Sequence, residues 1–260
     1  MLESQMIVTK NLTKVYKLSN KKFFKAIDDV SLEINKGETL GLIGASGSGK
    51  STLARLILGL IQPTNGEILF EGRAKKALLP RRIQMIFQDP YSSLNPRMKV
   101  GSILSEPMHI HCLPSRTDEL LELVGLPKDA KKRYPHEFSG GQRQRLGIAR
   151  ALALTPDVLI CDEAISALDI SIQAQIVNLL ERLQKELKLT ILFIAHDLAM
   201  VRYLSNRVAV LHQGKILEIE ETDYLFRQPK HPITKALLSS IPRLFDEPTS
   251  LDSAPIFHSV

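Results

Sequence analysis

Apolar residues are distributed along the chain in two different patterns. Helical spacing, with apolar residues three or four positions apart, marks residues 51–60 and 172–187. Short, largely apolar runs are typical of the buried strands of a parallel sheet, and they occupy residues 39–43, 83–87, 158–161 and 190–195. Because strands and helices alternate, the order predicts an α/β fold with a parallel core sheet that binds ligands at the carboxyl ends of its strands.

The first third of the chain shows a different pattern. Strands are predicted over residues 7–15, 30–34 and 67–70, and the polar stretch 17–25 is predicted to be a hairpin loop. These segments indicate an antiparallel N-terminal β-subdomain. A second hairpin is predicted near the other end, where strands over 208–211 and 215–219 flank Gly214.

Strand signals vanish from about residue 88 to 133. Apolar residues there have helical spacing, and a helix is predicted over residues 140–154. We therefore expect one domain over residues 6–245, interrupted by a helical subdomain at about 88–154. Residues 246–260 are rich in Pro, Ser and Asp and are expected to form a mobile tail.

Composition narrows the class of protein. An apolar fraction of 44% is enough for a sizeable core, and no apolar run approaches the roughly 20 residues that span a membrane. No secretory leader is expected at the N-terminus. Cys112 and Cys161 are far apart and lack metal-ligand spacing, which favours a reducing cytosol. The net charge of +6 comes from scattered Lys and Arg, which indicates a solvated surface, with an anionic membrane surface as the alternative.

Residues 44–51 match the pattern G-x-x-x-x-G-K-[ST] between a predicted strand and a predicted helix. In that context, backbone N–H groups and the helix N-terminus surround phosphate oxygens. We expect Lys50 to reach the outer phosphates of a nucleoside triphosphate and Ser51 to ligate Mg²⁺. The predicted phosphate-contacting residues are Gly44, Ala45, Ser46, Gly47, Ser48, Gly49, Lys50, Ser51 and Thr52.

Polar residues also follow three other predicted core strands. Asp162 is predicted to hold Mg²⁺ directly or through water, and Glu163, one step outward, to polarise the attacking water. His196 is placed to contact the γ-phosphate, and Gln88 to contact Mg²⁺ or water. Tyr16 is the candidate for stacking on adenine, with Phe23 and Phe24 as alternatives.

A second anion-seeking feature lies at the start of the helix predicted over 140–154. Its residues are Ser139, Gly140, Gly141 and Gln142. Ser139 is a good N-cap, and the two glycines allow backbone N–H groups to approach an anion. Since the chain already has a phosphate loop, this second site is interpreted as serving the nucleotide of another chain.

Taken in order, these motifs resemble those of the ATP-binding subunits of ABC transporters. The correspondence covers about residues 6–245: the aromatic residue Tyr16, the Walker A loop 44–51, the Q-loop Gln88, the signature 139–142, the Walker B strand 158–162 with catalytic Glu163, the D-loop 166–169 ending at Asp169, and the switch His196. The resemblance implies ATP and Mg²⁺ as cofactors and catalytic roles for Glu163, His196 and Lys50. It also implies a head-to-tail dimer.

Three segments narrow the resemblance to the dipeptide, oligopeptide and nickel importer group, and within it to the F-type second ATPase. They are residues 87–98, 134–145 and 231–238. Phe138 at the start of the signature and Ala164-Ile165 after Glu163 depart from commoner residues but lie within the range of the group. No iron–sulfur cluster is expected, because the cysteine-rich extension of some peptide-transporting members is absent from the sequence.

The resemblance implies an ATPase that powers import of di- or oligopeptides, with nickel or a metal chelate as the alternative. Its implied partners are two membrane permease subunits, a second ATPase or another copy of itself, and, indirectly, an extracellular substrate-binding protein. It would lie at the cytoplasmic face of the inner membrane, with permease helices docking around residues 91–98. Export is disfavoured because no membrane helices are fused to the ATPase. A soluble ABC ATPase acting on nucleic acid is a remote alternative, since long coiled-coil insertions are lacking.

Overall fold

The computed structural model describes residues 5–17, 22–74, 81–87, 94–166 and 168–239. Its strands are β1 Gln5–Lys17, β2 Phe23–Asn35, β3 Thr39–Ile43, β4 Asn65–Phe70, β5 Arg73–Ala74, β6 Ile83–Ile86, β7 Val158–Asp162, β8 Thr190–Ile194, β9 Arg207–His212 and β10 Lys215–Glu221. Its α-helices are α1 Lys50–Leu58, α2 Val100–Ile110, α3 Thr117–Leu123, α4 Gly140–Leu152, α5 Ile170–Leu187, α6 Leu198–Leu204, α7 Thr222–Arg227 and α8 Pro232–Leu238.

A six-stranded sheet forms the centre of the fold, in the order β10-β9-β3-β8-β7-β6. Five of these strands run parallel, and β10 pairs antiparallel with β9 as a hairpin. Every residue of β3, β7 and β8 is buried, which explains their largely apolar sequences. The predicted α/β fold with a parallel core sheet is confirmed.

Apolar residues on the two faces of the parallel sheet belong to different cores. In β8, Leu192 and Ile194 pack into the core beneath the N-terminal sheet and α1, whereas Ile191 and Phe193 pack into the core formed by the other helices. The alternation follows from the two-residue period of a strand. Both faces are filled, so the carboxyl ends of these strands are held rigidly.

The N-terminal sheet is antiparallel, in the order β2-β1-β4-β5, as predicted. The predicted loop over 17–25 is too long, because β2 already begins at Phe23, which pairs with Lys17 across the hairpin. Aromatic side chains favour strands. The pairing of Phe23 and Phe24 with β1 therefore extends the hairpin ladder into the stretch that was predicted to be a loop. Residues 18–21 lie outside the described residues.

Helices make up the described segment between β6 and β7, which confirms the inserted helical subdomain. Its side chains of Leu104, Leu120 and Leu121 are fully buried and belong to the same core as the buried residues of α5. The predicted mobile tail at 246–260 lies outside the described residues, as does the end of the predicted domain after residue 239. Within the described part of the chain, no helix has the length and apolar character needed to cross a membrane.

Candidate active site

The site lies at one edge of the parallel sheet. Strand β3 pairs with β8, and β8 pairs with β7, all in parallel. Their carboxyl ends, at Ile43, Asp162 and Ile194, therefore lie at the same edge. This topology brings the phosphate loop, Asp162 with Glu163, and His196 together, as the sequence predicted.

The phosphate loop is shaped by glycines that no other residue can replace without strain. Gly44, Gly47 and Gly49 have φ of 155°, 76° and 111°, in the region that favours glycine. A Cβ on Gly44 would lie 2.1 Å from the carbonyl oxygen of Leu211, and a Cβ on Gly49 would lie 2.5 Å from that of Ala26. The backbone of the loop is thus pressed against neighbouring backbone, which fixes its path.

Lys50 begins α1 and is almost fully buried. Its Nζ donates to the carbonyl oxygens of Gly44 at 2.8 Å and Ala45 at 3.0 Å. Burial lowers the pKa of Lys50, and the nearby charges of Glu163 and Asp162 oppose this shift. The ammonium group is therefore held against the backbone of the phosphate loop.

Ser51 and Asp162 lie together although 111 positions separate them in sequence. The Ser51 hydroxyl donates to Asp162 Oδ1 at 3.1 Å. Burial raises the pKa of Asp162; the Ser51 hydrogen bond opposes the rise, and the charge of Glu163 adds to it. Hydroxyl and carboxylate oxygens are the ligands that Mg²⁺ prefers. The pair fits a magnesium ion that takes its other ligands from phosphate and water.

Glu163 leaves the sheet in an unusual backbone conformation. Its φ is +50°, uncommon for a residue with a side chain, and its N–H donates to the carbonyl oxygen of Ile194 at 2.9 Å. Its carboxylate Oε1 contacts His196 Nε2 at 2.5 Å. The Glu163 side chain is 16% exposed and that of His196 48% exposed. This turn carries the carboxylate outward, beyond Asp162, where a water molecule can reach it.

His196 is held by the helix that follows it. Asp197 caps the start of α6, accepting hydrogen bonds from the backbone N–H groups of Ala199 at 2.8 Å and Met200 at 3.3 Å. The cap sets the path of the chain as it leaves β8. The sequence placed His196 at this edge, but its pairing with Glu163 requires β7 and β8 to be neighbours, which no local signal states.

The two cysteines differ in their surroundings. Cys161 is fully buried in β7, and burial raises the pKa of its thiol to about 12. Cys112 is exposed just after α2. Neither belongs to the site.

The signature forms the start of α4 with a reciprocal cap. The Ser139 hydroxyl accepts from the Gln142 N–H at 3.3 Å, and Gln142 Oε1 accepts from the Ser139 N–H at 3.1 Å. Among the described residues, no hydrogen bond or ion pair joins these groups to the phosphate loop. The predicted N-cap is therefore present. The described hydrogen bonds of the signature do not reach the phosphate loop of the same chain.

The remaining predicted contacts differ in how far the structure describes them. Tyr16 is partly buried in β1, pairs with Phe24 in β2, and has Lys14 Nζ 5.2 Å from its ring centroid. Phe23 and Phe24 are 68% and 49% exposed, so all three aromatic residues stay candidates for the adenine contact. Asp169 is exposed at the N-cap of α5. Gln88 lies outside the described residues.

A groove of about 310 Å³ beside the end of β6 was not predicted. It is bordered by the exposed side chains of Phe87 and Ile110, and its lining includes the buried Gln144. Neither amide atom of Gln144 has a hydrogen-bond partner in the described part of the chain. The sequence signal available was Phe87, an aromatic residue directly after a buried strand.

Residues 27–166 match the family described as "ABC transporter". This match covers more than half of the chain, and the chain belongs to that family. The resemblance inferred from the motifs is confirmed.

Two relatives from Bacillus subtilis carry names that refer to oligopeptide transport. The oligopeptide transport ATP-binding protein OppF of Bacillus subtilis is 57% identical over 233 residues, which is 84% of this chain and 76% of that protein. The putative oligopeptide transport ATP-binding protein YkfD of the same organism is 56% identical over 236 residues, or 85% of this chain and 72% of that protein.

Solved structures agree with the fold. A dimeric ATP-binding cassette in a post-hydrolysis state, bound to ADP and phosphate, is 30% identical with a TM-score of 0.74, covering 84% of this chain and 99% of that one. The cbiO1 protein of Clostridium perfringens, part of the ABC transporter complex cbiONQ, is 29% identical with a TM-score of 0.78, covering 87% and 92%.

Proposed function

We propose that this chain is the ATP-hydrolysing subunit of an ABC importer for di- and oligopeptides, peripheral to the cytoplasmic face of the membrane. The observation that carries the ATPase assignment is the convergence of the phosphate loop, Asp162, Glu163 and His196 at one sheet edge. The peptide assignment is supported by the printed names of OppF and YkfD.

ATP binding is assigned to the phosphate loop and the start of α1. Backbone N–H groups from Gly44 to Thr52 surround the phosphates, assisted by the helix dipole. Lys50 Nζ exchanges its carbonyl partners for β- and γ-phosphate oxygens, which are better acceptors for an ammonium group. Tyr16 is proposed to stack on adenine.

Magnesium would be held by Ser51 and Asp162, with Gln88 as a further ligand or water contact. The bound ion neutralises charge on the β- and γ-phosphates. Asp162 stays ionised in this role because a cation would offset the burial that raises its pKa.

Hydrolysis is assigned to Glu163 as the base that orients and polarises the attacking water. Its Oε1 accepts from His196 Nε2, which holds the carboxylate at the sheet edge. His196 is exposed enough to contact a γ-phosphate as well, and so to register its loss. The same pair thus links the state of the base to the state of the nucleotide.

The signature is proposed to complete the site of a paired ATPase. Its donors at Ser139 to Gln142 seek an anion, and the phosphates of this chain lie elsewhere. In a head-to-tail dimer, each ATP lies between one phosphate loop and the opposite signature, with Asp169 near both. The partner is a second ATPase of the same kind or a second copy of this chain.

Permease subunits are proposed to dock around residues 91–98, of which 91–93 lie outside the described residues, and in the groove beside the end of β6. This groove has exposed apolar borders at Phe87 and Ile110. Gln144, in its lining, has an amide with no hydrogen-bond partner in the described part of the chain. These features suit a short helix with an apolar face and a polar group. Nucleic acid is not among the proposed partners.

The test is uptake by cells that lack this chain, with labelled di- and oligopeptides measured beside labelled nickel. Complementation with the wild-type chain is expected to restore peptide uptake, and complementation with Glu163→Gln is not. Selective restoration of nickel uptake would move the protein to the metal branch of the group. Uptake that never depends on the chain would remove the importer assignment.

A further inference from the structure

The second glycine of the signature is packed against the helix that follows the D-loop. A Cβ placed on Gly141 would lie 2.5 Å from Ile172 Cγ2, closer than real carbon atoms approach each other. The next nearest atoms, at 3.7 and 3.8 Å, also belong to Ile172. A larger residue at position 141 would therefore force this one side chain, or the start of α4, to shift.

The neighbouring glycine is in a different situation. A Cβ on Gly140 would lie 3.4 Å from Leu168 Cδ2, an ordinary van der Waals contact. Neither glycine has a positive φ, so the backbone itself would accept alanine at both positions. The fold of the chain thus explains a glycine at 141 but not at 140.

Ile172 lies in the first turn of α5, only nine positions after Glu163. The segment between them is tied down at both ends. The Glu163 carbonyl oxygen accepts from the Ser166 N–H at 3.2 Å, and the Ile165 carbonyl oxygen accepts from Gln173 Nε2 at 3.0 Å. Ile172 itself packs against the helical core. These contacts connect the residues that follow Glu163 to the first turn of α5, where Ile172 lies.

We propose that Ile172 is a positioning residue that sets the start of α4, and hence the signature, relative to the segment that follows Glu163. The inference rests on the proposed function, in which the signature serves the nucleotide of the paired ATPase. Ile172 would then join the base of one site to the phosphate-binding donors of the other, and the two ATP sites would be coupled through this contact.

The test compares four variants in the intact transporter: Gly141→Ala, Ile172→Ala, the double variant, and Gly141→Ala with Ile172→Val. Gly141→Ala is expected to lower ATPase activity about tenfold, since overpacking displaces the signature. Ile172→Ala alone lowers activity less, yet it restores activity to Gly141→Ala because it removes both γ-carbons. Ile172→Val keeps two γ-carbons and does not restore it.

Gly140→Ala is the matched control. Any loss of activity in this variant comes from crowding of the nucleotide, so Ile172→Ala is expected not to rescue it. A fluorescent ATP analogue should bind the isolated chain with unchanged affinity in every variant, because the phosphate loop is untouched. A purely structural defect would instead lower the unfolding temperature and this affinity together.

Two results would overturn the inference while leaving the ATPase assignment intact: wild-type activity in Gly141→Ala, or no rescue by Ile172→Ala. If Gly141→Ala does not fold, the inference is tested by Ile172→Ala alone. Normal transporter ATPase activity in Ile172→Ala would then count against the proposal. ATPase activity absent from the wild-type transporter would remove the proposed function, and the inference with it.

Discussion

The phosphate loop and the signature both seek anions, but the chain builds them in different ways. The loop joins β3 to α1, and its Lys50 donates to carbonyl oxygens of the same loop. Ser51, Asp162, Glu163 and His196 likewise bond among themselves. The signature begins α4, inside the inserted helical subdomain, and its Ser139 and Gln142 form a reciprocal cap.

The two regions would therefore contribute different things to an ATP site. Under the proposed function, the sheet edge supplies the base and the groups that bind phosphate and metal, and the signature supplies further phosphate donors. Each would then be half of a site, which would give a physical reason for pairing two such chains head to tail.

Removing the proposed base tests the role of the sheet edge and should give the largest effect on ATPase activity. Glu163→Gln is expected to lower ATPase activity about 100-fold or more, because the amide cannot accept a proton from water. ATP binding is retained, and the ATP-bound dimer accumulates. Phosphate release and gel filtration with ATP measure the two effects; undiminished phosphate release would refute the catalytic role.

Lys50→Ala tests whether the buried ammonium group binds the phosphates of ATP. ATP affinity is expected to fall about tenfold or more, the usual loss for a charge-assisted hydrogen bond. Lys36→Ala is the control, since this exposed lysine pairs with Glu71 and lies outside the predicted phosphate-contacting residues. Equal affinities for ATP in both variants, measured by calorimetry, would show that Lys50 serves only the loop.

Ser139→Ala tests the signature half. Losing the cap is expected to destabilise the start of α4 by about 1 kcal/mol. The ATP-trapped dimer of the Glu163→Gln background should weaken, while ATP binding by the isolated chain is unchanged. If affinity for ATP in the isolated chain fell instead, the signature would have to serve its own phosphate loop.

Asp162→Asn should give the smallest effect, a change in thermal stability whose size depends on pH. Burial raises the pKa of Asp162, so the folded chain disfavours the ionised form. At neutral pH the variant is expected to unfold at a higher temperature than wild type without nucleotide. As pH falls through the raised pKa, the wild type takes up its proton and the difference narrows. Thermal unfolding over that range checks both points.

Local patterns predicted much of this molecule. The glycines at 44 and 49, the Ser139 cap and the acids after β7 all follow from short sequence windows, because each depends on backbone geometry within a few residues. Parallel strands then place their carboxyl ends at one edge, so the chemical half of the site was predictable.

Contacts set by strand order were not predictable in the same way. The Glu163–His196 pair requires β7 and β8 to be neighbours in the sheet. The Gly141–Ile172 contact requires α4 and α5 to cross closely. Ile172 carries no chemical group, and in sequence it is one more apolar residue of a helix. Such contacts depend on long-range packing, which no short window records.

The burial of Cys161 has a practical consequence. Its thiol is sealed in β7 with a pKa of about 12, whereas the Cys112 thiol is exposed after α2 in the helical subdomain. At neutral pH a maleimide dye should therefore label the folded native sequence at Cys112 alone. The chain thus carries a single reactive attachment point for a fluorophore, placed in the helical subdomain.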